Sequence, residues 1–160
     1  MKRKIIVSDS SILISFAKIK KLNFLKELAG KVIIPQAVYN EVIIKGKPGT
    51  NEILSCDWIE TKVISNEGKT KELPKYLGKG EKEAIILAKE LDGLLLIDDP
   101  AGIKEAIKQS IQITGTLGVL QEIQAKGVID KIKPILDSLI ASGFRIDSNL
   151  YIKFLEEIGE

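Results

Sequence analysis

Histidine is absent from the sequence, and Cys56 is its only cysteine. These two shortages exclude disulfide frameworks, zinc sites built from cysteine and histidine, Ser-His-Asp triads and histidine general bases. Aromatic residues make up only 5 % of the chain, so a surface of stacked aromatic rings is not expected. Carboxylates remain, and we expect them to carry any chemistry.

Long apolar runs are missing too. The densest cover residues 84–88 and 94–97, far short of the roughly 20 residues needed to span a bilayer. The apolar stretch that begins at Ile5 ends at Ser8 and Asp9, so it does not read as a signal peptide. The sequence therefore predicts a cytoplasmic protein that does not enter a membrane.

Length and composition favour one globular domain over residues 1–160. The chain has 160 residues, of which 44 % are hydrophobic and 29 % are charged. It is long enough for one sizeable core, and its balance is close to the globular average. Its 24 basic and 22 acidic residues leave a net charge of +2, which is too small for a wholly cationic surface but compatible with local basic patches.

The order of strand and helix patterns indicates the fold class. Strand character is found at residues 4–8, 31–34, 58–64, 94–97 and 111–113. Helical spacing of apolar residues separates most of these segments, residues 65–80 read as a polar surface loop, and two further helices are expected from about 130 to 158. Because unbroken apolar strands alternate with helices, we predict an α/β fold: a three-layer α/β/α sandwich with a central, mostly parallel sheet of four to five strands.

Aspartates follow two of the predicted strands where each strand ends. Asp9 follows the first strand, and Asp98 with Asp99 follows the strand expected beside it. Ligands of open parallel sheets bind beyond the carboxyl ends of the strands, so these acids are expected at one edge. Each is also a common helix-capping residue, but two helix starts do not need three acids, and Ser10 or Ser11 would cap the first helix without charge.

Three glutamates extend this acidic group. Glu41 lies beside the apolar stripe of its predicted helix, where it either faces inward or is exposed and pairs with Lys45. Glu81 and Glu83 open the next long helix after Gly80, where a negative charge is favourable beside the helix dipole. One acid suffices there, so the other is a metal ligand or an exposed residue, and the sequence does not rank the two.

A group of carboxylates without histidine or cysteine points to a hard divalent cation. Mg²⁺ and Mn²⁺ take oxygen ligands and are held by a few carboxylates together with water and substrate phosphate. Such an ion lowers the pKa of a bound water and stabilises the departing oxygen of a phosphodiester. This chemistry requires no histidine.

Four motifs occur together in the order that a known family shows. They are IIVSDSS at residues 5–11, GKGEKEAI at 78–85, LIDD at 96–99 and TGTLGVL at 114–120, with Glu41 between the first two. In this set the sequence resembles PIN-domain nucleases, and within them the prokaryotic branch of VapC-type toxins, over residues 4 to 128. Single motifs of this kind are weak, but the ordered set is fairly specific.

The resemblance implies a metal-dependent endoribonuclease that hydrolyses RNA phosphodiester bonds with Mg²⁺ or Mn²⁺. The catalytic and metal-binding residues that it implies are Asp9, Glu41, Glu81, Asp98 and Asp99, with Glu83 as the alternative to Glu81. Glu81 is preferred because it follows the Gly-x-Gly turn directly, and the acid pairs leave the choice within each pair open. Ser11 and Thr116 are expected as supporting polar groups.

The resemblance also implies partners: an RNA substrate, a small antitoxin protein and a second copy of the chain in a homodimer. Phosphate contacts need positive charge around the acidic centre. The candidate lysines are Lys18, Lys20, Lys21, Lys45, Lys47, Lys69, Lys71, Lys75, Lys79 and Lys82, although lysine runs are usually solvated surface. Apolar residues of the final helix, Leu150, Phe154, Leu155 and Ile158, fit either a dimer contact or the closing of the core.

Three other functions compete with the nuclease. A Mg²⁺-binding phosphoacceptor receiver domain also gathers acids at strand ends, but receivers carry an acidic pair after the first strand and a lysine after the fifth. Here one aspartate, Asp9, follows the first strand and Thr114 to Thr116 follow the last. A haloacid-dehalogenase-type phosphatase would have a second acid at Ser11. The third competitor is a catalytically silent PIN-like binding module.

Overall fold

A computed structural model of the chain describes residues 5–44 and 49–160. Its centre is a sheet of five parallel strands in the order β3-β2-β1-β4-β5. The strands are β1 (Ile6–Ser8), β2 (Val32–Pro35), β3 (Ile59–Lys62), β4 (Leu94–Leu96) and β5 (Ile113–Thr114). The predicted α/β fold with a parallel central sheet is confirmed.

Helices connect the strands and close the chain. They are α1 (Ser10–Lys18), α2 (Asn23–Ala29), α3 (Gln36–Val42), α4 (Thr50–Leu54), α5 (Lys79–Leu91), α6 (Pro100–Lys108), α7 (Thr116–Ala125), α8 (Lys133–Ala141) and α9 (Ser148–Glu157), with a 3-10 helix at Glu67–Glu72. None of the helices within the described ranges is long and apolar enough to cross a membrane.

Successive strand residues pack into two separate cores. In β1, Ile6 joins the core formed with α1, α2, α7, α8 and α9, whereas Val7 joins the core formed with α5 and α6. Because neighbouring strand residues point to opposite faces, the unbroken apolar runs cover both faces of the sheet. The sheet therefore lies between two helical layers.

Two sequence predictions need correction. Residues 65–80 are not simply a surface loop, because they include the 3-10 helix and because Leu73 and Leu77 are buried against α5. Helix α5 begins at Lys79 rather than at Glu81, so Glu81 is its third residue. The first strand was expected to include Lys4, which lies outside the described residues.

The strand order places the first and fourth strands side by side. Ile6, Val7 and Ser8 of β1 pair in parallel with Leu94, Leu95 and Leu96 of β4. The chain winds to one side through β2 and β3 and to the other through β5, so the order reverses between β1 and β4. Open parallel sheets bind ligands at such a switch point, beyond the carboxyl ends of the strands.

Candidate functional site

Asp9 lies at the switch point, directly after β1. Its backbone N–H donates to the Leu96 carbonyl at 3.0 Å, which extends the pairing of β1 with β4 by one residue. Although Asp9 precedes the first residue of α1, its side chain forms no N-cap hydrogen bond with that helix. The amide of Ser10 lies near enough to favour the charged carboxylate. The side chain is only 5 % exposed and accepts a 3.4 Å hydrogen bond from the Ser11 hydroxyl. The capping explanation therefore fails for Asp9.

Glu41 reaches the same region from the end of α3. The Ser10 hydroxyl donates to Glu41 Oε2 at 2.6 Å. On the other side, Gly80 approaches so closely that a Cβ at position 80 would overlap Glu41 Oε1. Glu41 thus faces inward, as one of the two readings of the sequence predicted; its alternative partner, Lys45, lies outside the described residues.

Glu81 comes from the first turn of α5 and has two unlike carboxylate oxygens. Oε1 accepts a 3.2 Å bond from the Gly78 N–H and so caps its own helix. Oε2 is buried and has no hydrogen-bond donor within the described part of the chain. Its neighbour is the Asp99 carboxyl group, with which it can form a hydrogen bond only when one of the two carries a proton.

Asp99 caps α6 and lies at the same edge of the sheet. Its Oδ2 accepts a 2.8 Å bond from the Gly102 N–H. Pro100 begins the helix, where a missing N–H carries no penalty. Asp99 is close enough to both Asp9 and Glu81 for its charge to act on each of them.

Asp98 has different partners from its neighbour. Its Oδ1 accepts from the Thr116 N–H at 2.8 Å, and its Oδ2 accepts from the Thr116 hydroxyl at 2.5 Å. Thr116 is fully buried at the start of α7. Asp98 therefore ties the end of β4 to the N-terminus of α7, and both of its oxygens accept hydrogen bonds there.

Glu83 is also engaged away from the cluster. The residue is 6 % exposed, and its Oε1 accepts a 3.1 Å bond from the backbone N–H of Ala37 in the first turn of α3. Residues two apart on a helix differ in direction by about 200°. Glu81 and Glu83 accordingly face different neighbours, Glu81 towards Asp99 and Glu83 towards α3.

The structure thus brings together four of the predicted acids: Asp9, Glu41, Glu81 and Asp99. Burial raises the pKa of Asp9 to about 6; the Ser10 backbone and the Ser11 hydroxyl favour the charged form, while the charges of Glu41 and Asp99 oppose it. Burial and the approach of Asp99 raise the pKa of Glu81 to about 7, with the Gly78 N–H acting in the opposite direction. For Asp9 and Glu81, burial and neighbouring carboxylates therefore outweigh the hydrogen bonds that favour the charged forms within the described part of the chain.

The donor chemistry of the cluster fits a hard divalent cation. All of the candidate metal-binding atoms are carboxylate oxygens. One of them, Glu81 Oε2, is buried and accepts no hydrogen bond from any group in the described ranges. As the side chains stand, no three acidic or cysteine residues among residues 5–44 and 49–160 form a complete metal-binding group. The cluster therefore offers oxygen atoms of the type that such an ion takes, without a preformed metal-binding group in the described ranges.

Two contributors were missed from the sequence. The sequence predicts only a helix-capping role for Ser10, yet its hydroxyl donates to Glu41. It indicates only a turn at Gly80, yet this glycine is buried against Glu41. The Gly-x-Gly spacing before Glu81 was the available signal, because a glycine inside the first turn of a helix often marks a close approach.

Comparison with known proteins identifies the family. The sequence matches a PIN-domain family over residues 5–160, nearly the whole chain and all the residues of the acidic cluster. No curated protein matches the chain at a significant level. PIN domains are generally nucleases, and an acidic cluster at the switch point of a parallel sheet agrees with that general activity. The chain belongs to the PIN-domain family.

Proposed function

We propose that this protein is an endoribonuclease that hydrolyses RNA phosphodiester bonds with Mg²⁺ or Mn²⁺. The observation that carries the proposal is the carboxylate pair of Glu81 and Asp99 beside the buried Asp9, in which Glu81 Oε2 has no hydrogen-bond donor in the described chain. Buried anions without cationic partners are costly, and a divalent cation relieves that cost.

The proposed ligands are Asp9, Glu41, Glu81 and Asp99. The ion, when bound, supplies an activated water and neutralises charge on the phosphate. Ser10 holds Glu41 towards the cluster, and Ser11 donates to Asp9. These hydroxyls fix the direction in which the carboxylates point.

Asp98 has a different proposed role from the four ligands. Both of its oxygens accept from Thr116, so we assign it to holding the strand ends and α7 in place beside the cluster. Glu83, the alternative to Glu81 in the sequence, accepts from the Ala37 N–H instead and is not one of the four proposed ligands.

Several predicted substrate lysines have structural engagements instead. Lys18 donates to the Ser142 carbonyl, and Lys21 lies 5.6 Å from the centre of the Phe24 ring. Lys71 and Lys79 line a cavity together with Glu67 and Glu83. Because Glu83 faces away from the acidic cluster, this cavity does not support phosphate contacts by these two lysines at the cluster. Lys45 and Lys47 lie outside the described residues.

The deciding experiment is an RNA cleavage assay with purified protein. Labelled RNA should be cut in the presence of Mn²⁺ or Mg²⁺, and a chelator should stop the cleavage. Asp9→Asn should abolish cleavage while the circular dichroism spectrum stays unchanged. Cleavage that survives both the chelator and Asp9→Asn would reject the metal site, and absence of any cleavage would favour the catalytically silent binding module.

The toxin role, the antitoxin partner, the homodimer and the cytoplasmic location are further parts of the proposal that rest on the family resemblance. Phe154 and Leu155 of α9 are buried in the core of the monomer, whereas Leu150 and Ile152 are about half exposed. A dimer through α9 would therefore use the latter pair. Sedimentation of the wild type and of a Leu150→Ser, Ile152→Ser double variant checks this, because only the wild type should dimerise.

A further inference from the structure

Glu83 is the most deeply buried glutamate in the described ranges, and the cation site proposed above does not use it. Its Oε1 accepts a hydrogen bond from the backbone N–H of Ala37 in α3, which lies 46 residues earlier in the chain. Such a bond costs the burial of a charge, which proteins tolerate when the charge is hydrogen-bonded and the bond fixes a geometry.

The helices α5 and α3 meet through several contacts. Two of these, the Glu83 bond and the approach of Gly80 to Glu41, are spaced one turn apart. On α5 the contacts are made by Gly80 and Glu83, which are three residues apart and share a face. On α3 the matching positions are Glu41 and Ala37, which are four residues apart and also share a face. Gly80 meets Glu41, and Glu83 meets Ala37, so the two helices run antiparallel where they touch.

This pairing links the position of one acid to another. Helix α3 carries Glu41 near its end, and α5 carries Glu81 in its first turn. Gly80 allows Glu41 to come close to α5, because a side chain at position 80 would overlap it. Glu83 sets the other end of the contact by holding the first turn of α3 against α5.

We propose that Glu83 is a positioning residue: through the Ala37 N–H it fixes α3 against α5 and so places Glu41 relative to Glu81. The inference rests on the proposed nuclease function for its consequence, but the contact itself exists in the protein without metal. Glu83 acts as a hydrogen-bond acceptor in this role, so its charge is dispensable and its carbonyl-type oxygen is not.

Three variants test the assignment, each beside the wild type. Glu83→Gln keeps an acceptor oxygen, Glu83→Met removes it at similar size, and Glu90→Met is the control. Glu90 lies on the same helix and accepts from the Ser65 N–H, away from α3. Should Glu83→Met not fold, Glu83→Asp, which shortens the side chain by one methylene, takes its place.

The first readout is amide hydrogen exchange of the metal-free protein. Exchange at Ala37 and in the first turn of α3 should be at least tenfold faster in Glu83→Met, close to wild type in Glu83→Gln and unchanged in Glu90→Met. Amides of β1 and β4 should keep their rates in all variants. Unchanged exchange at Ala37 in Glu83→Met would overturn the proposal.

The second readout is RNA cleavage as a function of Mn²⁺ concentration. Glu83→Met should need several-fold more Mn²⁺ for half-maximal cleavage, Glu83→Gln should stay within about threefold of wild type, and Glu81→Gln should be inactive. If Glu83→Gln is as inactive as Glu81→Gln, Glu83 is a ligand and the positioning role is wrong. If no variant and no wild type cleaves RNA, the nuclease function fails, and hydrogen exchange still decides the role of Glu83.

Discussion

The Ser10 hydroxyl donates a 2.6 Å hydrogen bond to Glu41 Oε2, joining the residue after Asp9 to the end of α3. Glu41 is therefore held by the hydroxyl of Ser10, the first residue of α1, which directly follows Asp9. Asp9 and Glu41 share this small region, and the Glu41 charge raises the pKa of Asp9. The contact fixes the distance between two carboxylates that repel each other in the metal-free protein.

Ser10→Ala should destabilise the protein by about 1 to 2 kcal/mol, because a hydrogen bond to a charged group contributes somewhat more than a neutral one. Ser11→Ala is the matched control: Ser11 is exposed and its contact with Asp9 is 3.4 Å long, so its loss should cost less than about 0.5 kcal/mol. Urea unfolding monitored by circular dichroism measures both. Equal losses in the two variants would contradict the special role of the Ser10 bond.

Asp9→Asn should stabilise the metal-free protein at neutral pH and not in acid. The pKa of Asp9 is about 6 in the folded chain against an ordinary value of 3.8, so the folded state binds more protons than the unfolded state between these values. The contribution of Asp9 to the free energy of unfolding therefore falls as the pH rises from about 4 to 6.

The size of the stabilisation by Asp9→Asn follows from the shift in the pKa of Asp9. Above pH 7 the substitution should raise the free energy of unfolding by about 2 kcal/mol, since one unit of pKa corresponds to about 1.4 kcal/mol and some favourable contacts of the carboxylate are lost. Near pH 4 the difference should vanish. Thermal unfolding of both proteins from pH 4 to 8 checks the slope, and a pH-independent difference would contradict the burial of a charged Asp9.

The fold could be predicted from the sequence because its strands are short, unbroken apolar runs. The unbroken apolar run of residues 94–97 has to be covered on both faces, and Leu95 and Leu96 do join different cores. The pairing of β1 with β4 placed Asp9, Asp98 and Asp99 at one edge, as predicted. Local periodicity was enough to find the strands, because each strand depends on residues close in the chain. The pairing of β1 with β4 joins residues far apart in the chain and was expected from the general order of strands in such sheets.

The different hydrogen-bond partners of the acidic residues could not be predicted from the sequence. Asp98 and Asp99 are adjacent, yet one accepts from Thr116 and the other from Gly102. Glu83 bonds an amide 46 residues away. Such partners depend on which helices pack side by side, and residue types alone do not show this. The Gly-x-Gly spacing marks Gly80 but does not show which residue it contacts, because what matters is the space that the glycine leaves.

Divalent cation binding should release protons in a pH-dependent way. With pKa values of about 6 for Asp9 and about 7 for Glu81, both groups are partly protonated at pH 6.5 and must lose their protons to act as ligands. Calorimetric titration with Mn²⁺ in buffers of different ionisation enthalpy should show release of about one proton at pH 6.5 and close to none at pH 8.5. Release that is equal at both pH values would exclude these two groups as ligands.

Gly80→Ala should be harmful, and shortening its neighbour should repair the damage. A Cβ at position 80 would overlap Glu41 Oε1 and approach the other oxygen at 3.0 Å, so α3 and α5 must separate or Glu41 must turn away. Overpacking of this kind costs about 1 to 3 kcal/mol, and RNA cleavage should fall at least tenfold because Glu41 is displaced.

The rescue uses Glu41→Asp, whose carboxylate is one methylene shorter. In the double variant Gly80→Ala, Glu41→Asp the overlap is relieved, so the free energy of unfolding should recover by more than half of the loss caused by Gly80→Ala alone. Urea unfolding of the two single variants and the double variant gives the coupling energy between the positions. Additive losses would show that Gly80 and Glu41 do not touch, because only residues in contact compensate for each other in this way.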